Sequence, residues 1–403
     1  MINVCFGLHD GDGNYSKFVG VTMASIFENT AAPVTIHILH DATLTTDNRD
    51  KFFYLAGRYG QRVKFYNVDE LCPDEIKFLR EKLAVQINSR FSIGTFYRLL
   101  IKKFLRAGKA IYLDADIIVN LDIAELWRQD MKNFAIAAVP EMQATFGQMI
   151  TDKFLLKSGR VKLENYFCAG VTMFNLDAFG EKFFRDAVQF LVDNPACESN
   201  DQDILNAFFA ANYLKLEQKF DSFVLAEQQR NISAVAQKIY HYAGNAVGLN
   251  LSDPFNRLWM NYFAKTPWFD ENIVDKFGAE LRNEFDRNSL MIQQMMKLCA
   301  GHNRAFFVEP RNVSAVKNAF AVRDDEPIIE IRDMASLDEL VAKMTELRGQ
   351  KLFFTFYKDY SPLKNYLEER GFAEYMDFVN GMMFLTRKQS GIEYDEWSII
   401  RKL

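Results

Sequence analysis

Hydrophobic and polar positions follow two alternating periods in the first part of the chain. Short apolar runs at residues 2–8, 35–40 and 63–66 have the length and continuity of buried strands. The segments between them, residues 15–29 and 46–59, place apolar side chains at helical spacing. Strands that alternate with helices form βαβ units, so this pattern predicts a parallel sheet covered by helices on both faces.

Strands and helices continue in this part of the chain as far as residue 175, after which only helices are predicted. A helix at 95–106 precedes a strand that begins at Lys109, further strands are predicted at 134–139 and 170–175, and helices at 201–213 and 254–264. We therefore predict an α/β fold, a doubly wound and mostly parallel sheet, over residues 1–271.

The rest of the chain has a second pattern of its own. A polar, amphipathic stretch at residues 272–300 predicts a helical linker, and residues 301–403 predict a small α/β domain with a structural or partner-binding role. Within that domain strands are predicted at 305–309, 328–331, 352–357 and 382–385, and helices at 336–347 and 362–370.

Two carboxylates, Asp114 and Asp116, interrupt the apolar run that begins at Lys109. A strand buried on both faces excludes charge unless a cation or hydrogen-bond donors compensate it. Ligands of open α/β sheets bind beyond the carboxyl ends of the strands, and two carboxylates there can hold a divalent ion that keeps positions open for phosphate. A turn or a helix cap is the alternative, since Asp commonly satisfies local backbone donors and Asp-x-Asp also occurs at residues 10–12 and 201–203.

Composition narrows the class of protein. The 403 residues are 49% hydrophobic, enough for a sizeable core, and the net charge of -5 gives no electrostatic reason to expect nucleic acid or an anionic membrane as partner. Five cysteines without a CxxC pair favour a reducing compartment. The amino terminus resembles no secretory signal, and no run approaches the roughly 20 apolar residues of a membrane span. We expect a cytoplasmic protein with at most peripheral contact at the inner face of a membrane.

Four segments of the chain follow one family pattern in order and spacing. They are residues 6–15, residues 95–100 with the Asp114 strand, residues 166–176 with 200–206, and residues 240–244. Together they resemble glycosyltransferase family 8, the retaining group that includes bacterial lipopolysaccharide glucosyl- and galactosyltransferases and glycogenin. The resemblance spans residues 1–268 and implies a GT-A type fold with a single Rossmann-like nucleotide-binding domain.

The resemblance implies a metal site. Asp114 and Asp116, together with His241, would bind Mn²⁺ or Mg²⁺, and the ion would bridge the two phosphates of a UDP-sugar. A lone histidine is more often a packing residue than a ligand, so His241 depends on the family match. Imidazole beside carboxylates suits Mn²⁺ better than Ca²⁺.

The resemblance also implies the donor-binding residues. Asp12, Asn14 and Tyr15 would hold uracil and ribose, although an Asp-Gly-Asn turn explains the same residues. Arg98 would face the donor sugar and diphosphate, with an ordinary surface arginine as the alternative, and Glu141 would bind sugar hydroxyls. Further donor contacts would come from Gly7, Asp114, Ala115, Cys168, Ala169 and Gly244.

Catalytic roles fall to Asp201, Gln202 and Asp203, which in the family contact the donor sugar on the face opposite the diphosphate. Helix capping is the alternative for Asp201. Because residues two apart on a helix point in different directions, Asp201 and Asp203 should serve different neighbours. The sequence leaves open whether Asp203 or Gln202 acts as a nucleophile or stabilises front-side attack, but a neutral amide is a poor nucleophile.

Two positions depart from the family pattern. Val247 stands where the family has a phosphate-binding lysine, and Cys168 stands where it has asparagine. Charge on the diphosphate would then be neutralised by the metal, Arg98 and Arg257. The later segment of residues 265–268 resembles a different part of the family pattern.

These residues predict a retaining transferase that moves galactose or glucose from a UDP-sugar to a glycan, glycolipid or glycoprotein acceptor. One alternative is a catalytically inactive relative that binds a sugar nucleotide or serves as a scaffold. Another is a metal-dependent nucleotidyltransferase, but that class has a basic Gly-rich first loop and the loop here is acidic.

Overall fold

The computed structural model describes most of the chain in two compact units, the first ending at residue 272 and the second beginning at residue 275. The predicted linker at 272–300 lies almost entirely outside the described residues. The described residues are 1–87, 92–106, 108–141, 153–197, 199–230, 232–243, 247, 250–269, 272, 275–276, 278–279, 303–331, 336–357 and 360–382.

The described part of the first unit contains a seven-stranded sheet in the order β3-β2-β1-β4-β7-β6-β8. Strand β1 is parallel to β2 and β4, β2 is parallel to β3, and β6 is parallel to β8, whereas β7 runs antiparallel to both β4 and β6. The predicted mostly parallel, doubly wound sheet is therefore confirmed. Its strands are β1 (Ile2–Leu8), β2 (Val34–His40), β3 (Arg62–Asn67), β4 (Lys109–Leu113), β6 (Ile136–Pro140), β7 (Phe167–Asn175) and β8 (Leu214–Lys215).

A second, smaller sheet of the first unit has the order β5-β10-β9. Its strands are β5 (Ile117–Val119), β9 (Ser222–Phe223) and β10 (Ile239–His241). The central strand β10 is antiparallel to β5 and parallel to β9.

Helices cover both faces of the large sheet, and a separate hydrophobic core lies on each side. The helices of the first unit are α1 (Ser16–Asn29), α2 (Thr46–Arg58), α3 (Val68–Leu71), α4 (Pro73–Lys82), α5 (Ala84–Ile87), α6 (Ile101–Leu105), α7 (Ala124–Trp127), α8 (Phe154–Lys157), α9 (Phe183–Asp193), α10 (Asn200–Phe209), α11 (Val224–Gln229) and α12 (Pro254–Phe263). Short 3₁₀ turns connect several of them, at Leu163–Asn165, Leu176–Ala178 and Gln218–Phe220.

The predicted helix at 95–106 is instead a 3₁₀ helix, Ile93–Leu100, followed by the short α6. Glycines bring this segment against β1: a Cβ on Gly7 would lie 2.4 Å from the carbonyl oxygen of Gly94. Most of the 3₁₀ helix is buried. The apolar spacing of this segment predicted an α-helix. Its close packing on β1 instead accompanies the tighter winding of a 3₁₀ helix.

Helix α1 is buried from Ser16 to Phe27, which explains its near absence of charge. Gly20 lets the Trp268 ring approach, since a Cβ there would lie 2.3 Å from a ring carbon. The indole nitrogen of Trp268 donates to Asn48 Oδ1 at 2.8 Å. The family-like segment at 265–268 thus packs against α1 and α2.

The described part of the second unit forms a parallel sheet in the order β12-β11-β13-β14. Its last strand is three residues long and precedes the predicted 382–385, of which 383–385 lie outside the described residues. The elements are β11 (Asn303–Val308), α13 (Val313–Phe320), β12 (Ile328–Glu330), α14 (Leu337–Glu346), β13 (Lys351–Phe356), α15 (Tyr360–Glu368) and β14 (Phe378–Asn380).

Across the described residues of both units, every helix is too short or too polar to span a bilayer. The cysteines that the structure describes, Cys5, Cys72, Cys168 and Cys197, are buried and unpaired.

Candidate metal and donor site

The acidic pair lies where the chain leaves the large sheet and enters the small one. Strand β4 ends at Leu113 and β5 begins at Ile117, so Asp114 and Asp116 occupy the turn between two sheets. Their side chains are 30% and 36% exposed, whereas the apolar residues before and after them are buried. The interruption of the apolar run is thus a change of sheet that opens both carboxylates to solvent.

Three elements hold the backbone of this turn. The Thr22 hydroxyl of α1 lies 2.7 Å from the carbonyl oxygen of Ile117 and 3.1 Å from that of Ala115. The amide of Asp114 donates to the carbonyl of Gly170 in β7, and the amide of Tyr242 donates to the carbonyl of Asp116, each at 2.9 Å. A turn fixed from three sides presents its carboxylates in one geometry.

The fold brings the three predicted metal ligands together. His241 is the last residue of β10, and one ligand atom from each of Asp114, Asp116 and His241 lies within 4.8 Å of the others. The Nε2 atom of His241 is 3.5 Å from Asp116 Oδ1. Gly170 makes room for the ring, because a Cβ there would lie 2.3 Å from Cε1 of His241.

A third carboxylate, that of Asp221, contacts His241. Asp221 Oδ1 lies 3.0 Å from Nδ1 of His241, and Cys168 Sγ lies 3.7 Å from the same nitrogen. Asp221 is fully buried, and its Oδ2 atom has no hydrogen-bond partner among the described residues. Asp221 was not predicted from the sequence, since nothing in its local pattern distinguishes it from a loop aspartate.

Arg98 is buried in the site rather than on the surface. Its guanidinium bonds Asp114 Oδ1 at 2.6 Å and Asp201 Oδ2 at 2.8 Å, and it also donates to the carbonyl of Ala169 at 2.9 Å. The ring of Tyr112 lies beneath it, 4.1 Å from the guanidinium carbon. The alternative that Arg98 is an ordinary surface arginine is therefore wrong.

Negative charge exceeds positive charge in this cluster. Burial raises the pKa of Asp114, and burial raises the pKa of Asp201 to about 7. Burial opposes the charge of Asp116 as well, yet the neighbouring imidazole lowers its pKa. Burial also opposes the charge of His241, but Asp221 and Asp116 hold its pKa well above the ordinary value. The raised pKa values of Asp114 and Asp201 mark carboxylates whose charge the protein compensates only in part, whereas Asp116 and His241 stabilise each other's charge.

The donor set fits a divalent cation. Within the described residues, the carboxylates of Asp114, Asp116, Asp201 and Asp221 are met by one guanidinium and one imidazole. Oxygen ligands with a single imidazole suit Mn²⁺ or Mg²⁺ and give no preference for a soft metal. An added divalent charge would offset the excess of carboxylates.

The predicted catalytic residues divide between two environments at the start of α10. The side-chain amide of Gln202 donates to Glu141 Oε2 at 2.6 Å. Its Oε1 atom accepts from the backbone amide of Ala169 at 3.1 Å. Asp203 accepts from the Tyr166 hydroxyl at 2.9 Å and from the amide of Ser199 at 2.9 Å. Asp201 faces Arg98 instead, as described above, so Asp201 and Asp203 do serve different neighbours.

Glu141 has a basic partner that the sequence analysis did not single out. Lys153 Nζ lies 3.6 Å from Glu141 Oε2 and 4.8 Å from the centre of the Tyr166 ring. Burial raises the pKa of Glu141, while Lys153 and Gln202 oppose that rise. The site thus has a second cluster beside α10, in which Glu141, Lys153 and Asp203 are linked through Gln202 and Tyr166.

The first loop forms the turn that its composition indicates. The Asn14 amide donates to Asp12 Oδ1 at 3.0 Å, and Gly13 has a φ of +73°. Asp12 is exposed, and Asn14 and Tyr15 are partly exposed. Because β1 and β4 are parallel neighbours, this loop and the acidic turn lie at the same edge of the sheet.

The remaining predictions have mixed outcomes. Gly244 lies outside the described residues. Val247, at the position of the family's lysine, is 3% exposed and packs in the hydrophobic core. Arg257 is exposed and donates to the carbonyl of Leu251 at 3.2 Å, with no bond to the acidic turn in the described part of the chain.

Comparison with known proteins agrees with this architecture. A family model described as glycosyl transferase family 8 matches residues 8–246, more than half of the chain. The lipopolysaccharide 1,2-glucosyltransferase of Escherichia coli is 28% identical over 306 residues, covering 68% of this chain and 81% of that protein. General stress protein A of Bacillus subtilis is 22% identical over 280 residues, covering 64% of this chain and 92% of that protein.

Solved structures show the fold. An active-site mutant of LgtC superposes with a TM-score of 0.53 at 18% identity, covering 67% of this chain and 98% of that one. The bifunctional glycosyltransferase WbbM gives a TM-score of 0.50 at 20% identity, covering 66% of this chain and 50% of that one. The first unit therefore has the GT-A type fold that the sequence predicted.

Proposed function

Because the chain belongs to glycosyltransferase family 8, we propose that it is a retaining, metal-dependent hexosyltransferase. It would transfer galactose or glucose from a UDP-sugar to a hydroxyl of a glycan, glycolipid or glycoprotein acceptor. The name of the Escherichia coli relative supports a hexose donor and a saccharide acceptor. We expect the reaction in the cytoplasm, with at most peripheral contact between the protein and the membrane.

One observation carries this proposal: Asp114, Asp116 and His241 converge, although they come from two sheets and distant parts of the chain. Their charges are not neutralised by the protein alone. When bound there, Mn²⁺ or Mg²⁺ supplies positive charge that favours departure of the UDP diphosphate. Asp114, Asp116 and His241 would hold it.

The neighbouring residues would bind and orient the donor. Arg98 fixes the rotamer of Asp114 through its 2.6 Å contact and lies close enough to the acidic turn to share in diphosphate binding. Asp12, Asn14 and Tyr15, at the same sheet edge, would hold uracil and ribose. Val247 cannot replace the cationic lysine of the family, so the charge of the diphosphate would depend more strongly on the metal and Arg98.

The cluster of residues beside α10 would face the sugar. Glu141 and Gln202 would hydrogen-bond its hydroxyls, and the Gln202 carbonyl would stabilise positive charge on the sugar during front-side attack. LgtC, which shares the fold, also has a glutamine in its active site, and its solved mutant carries glutamate there. Asp203, which is 1% exposed and bonded to Tyr166, would position Tyr166 and the helix rather than contact the sugar.

A catalytically inactive relative is the second candidate, and the buried Val247 and the Cys168 substitution favour it. Such a protein would keep the fold and bind a sugar nucleotide without turning it over. The two candidates make opposite predictions for donor hydrolysis.

A panel of UDP-sugars incubated with the full chain tests the proposal. We expect release of UDP from UDP-glucose or UDP-galactose with Mn²⁺, little release with EDTA, and initial formation of the α-anomer of the free sugar by NMR. UDP binding without hydrolysis of any donor would favour the inactive relative. Metal-independent hydrolysis, or initial release of the β-anomer, would contradict the metal assignment or the retaining mechanism respectively.

A further inference from the structure

The carboxylate of Asp221 has a placement that its own surroundings do not explain. It is fully buried, bonds His241 through Oδ1, and leaves Oδ2 without a hydrogen-bond partner among the described residues. A buried carboxylate oxygen that lacks a partner destabilises the fold, because its hydration is lost without replacement. A feature that costs stability and touches one residue of a candidate site points to a role for that residue.

The His241 ring is fixed on every side except one. Phe223 stacks on it with ring centroids 5.1 Å apart and an interplanar angle of 21°. Gly170 leaves the space in which the ring lies. Asp221 Oδ1 is 3.0 Å from the Nδ1 atom of the ring. The Nε2 atom points toward Asp116. The ring is therefore held with one nitrogen inward and one toward the acidic turn.

This arrangement is maintained by backbone pairing. Strand β9 begins immediately after Asp221 and pairs in parallel with β10, with Phe223 opposite His241 and Ser222 opposite Tyr240. Asp221 and His241 are 20 residues apart in sequence, and the pairing of these two short strands sets their contact. Asp221 is thus placed by the sheet and does not depend on a loop conformation.

We propose that Asp221 is the positioning residue of the metal site: its carboxylate accepts the proton of His241 Nδ1, so that the lone pair of Nε2 faces the ion held by Asp114 and Asp116. The inference rests on the proposed metal-dependent function. A ligating imidazole whose other nitrogen bonds a carboxylate is fixed in tautomer and orientation and becomes a stronger ligand.

The rival role for Asp221 is direct ligation. Cys168, Asp221 and His241 also place one ligand atom each within 4.8 Å of one another. The 3.0 Å separation between Asp221 and His241 is the length of a direct hydrogen bond. All three residues are buried, whereas Asp114 and Asp116 open to solvent, where substrate phosphates could reach an ion. These facts favour positioning.

The test measures Mn²⁺ affinity by EPR titration of the full chain without donor. Asp221→Ala should weaken Mn²⁺ binding about 10- to 100-fold, and Asp221→Asn should weaken it by a smaller factor. The isosteric Asp221→Asn preserves packing, and its amide oxygen can still accept from Nδ1, but it removes the carboxylate charge that strengthens the ligand. Donor hydrolysis should require proportionally more Mn²⁺ for half-saturation and recover most of its maximal rate at high Mn²⁺, which distinguishes positioning from a damaged fold.

Glu227→Gln provides the matched control. Glu227 is a 3% exposed carboxylate that bonds Lys238 and Ser222 at 2.6 Å each and makes no recorded bond to His241. It should retain wild-type Mn²⁺ affinity. If the wild type itself binds no Mn²⁺, the proposed metal site fails before any variant is compared.

Two results would overturn the positioning role alone. One is wild-type Mn²⁺ affinity in a folded Asp221→Ala variant. The other is a cadmium–thiolate charge-transfer absorption in the wild type that disappears in Cys168→Ser, because it would make Cys168, Asp221 and His241 a ligand set of their own.

Discussion

Two groups of carboxylates, one beyond the ends of β1 and β2 and one around His241, differ in how the protein neutralises them. The first group, Asp10 and Asp41, follows β1 and β2 and is 1% and 3% exposed. The second group, Asp114, Asp116 and Asp221, surrounds His241. The first is surrounded by hydrogen-bond donors, whereas the second has an excess of negative charge and, on Asp221, an oxygen without a partner in the described part of the chain.

Hydrogen-bond donors of the protein itself satisfy the first group. Asp10 accepts from the amide of Tyr15 at 2.6 Å, the hydroxyl of Ser16 at 2.5 Å and the amide nitrogen of the Asn48 side chain at 2.8 Å. Asp41 accepts from the Tyr97 hydroxyl at 2.7 Å, and His9 lies 2.6 Å from it. Such carboxylates tie loops to helices and need nothing from outside the protein.

The difference separates structural aspartates from candidate functional ones better than motif or burial does. Asp-x-Asp occurs in both groups, and both include buried members. The carboxylates around His241 have the deficit of donors that a bound cation would remedy.

Removing a carboxylate from the second group should produce the largest functional effect. Asp116→Ala should lower the rate of Mn²⁺-dependent donor hydrolysis by on the order of 10²–10³-fold, as expected when an electrostatic stabiliser of a leaving group is lost. Stability without metal should change little, since the substitution also relieves repulsion. Initial-rate assays and urea unfolding measure the two quantities, and full activity in this variant would refute the metal assignment.

Replacing an aspartate of the first group by alanine should instead lower stability and leave metal binding unchanged. Asp10→Ala leaves several donors unpaired and should lower the free energy of unfolding by about 2–4 kcal/mol. Mn²⁺ affinity of the folded protein should stay at the wild-type value. A variant that kept its stability but lost Mn²⁺ affinity would show that the two groups do not have separate roles.

The histidines extend the comparison and give the smallest expected effect. His37, in β2, is 2% exposed and has neutral partners, Tyr66 and Asn3, and burial lowers its pKa to about 4. The unfolded chain therefore binds a proton at a higher pH than the folded protein does. Stability is retained above the unfolded pKa of about 6.5 and is lost as the pH falls toward 4.

Between pH 7 and pH 5 this histidine should cost the wild type about 1–2 kcal/mol of unfolding free energy. His37→Asn should flatten the pH dependence over that interval, whatever its effect at pH 7. Urea unfolding at the two pH values provides the measurement. An unchanged slope would mean that other groups dominate the acid sensitivity of this region.

Much of the first unit could be predicted from the sequence. The alternation of apolar runs with helical periods predicted β1, α1, β2 and α2 within a residue or two of their observed bounds. The family pattern and the GT-A fold were confirmed as well. The 3₁₀ helix Ile93–Leu100 was missed because its winding depends on contact with β1, which local spacing does not encode.

The sequence by itself determined the elements, the break in the strand at Asp114 and the family, because these depend on residues close together along the chain. The tertiary structure decided which carboxylates are satisfied. Asp221 meets His241 only through the pairing of β9 with β10, and Arg98 reaches Asp114 and Asp201 from a segment packed on β1. Charge balance depends on distances between remote residues, which are set by the order of the strands and by no local pattern.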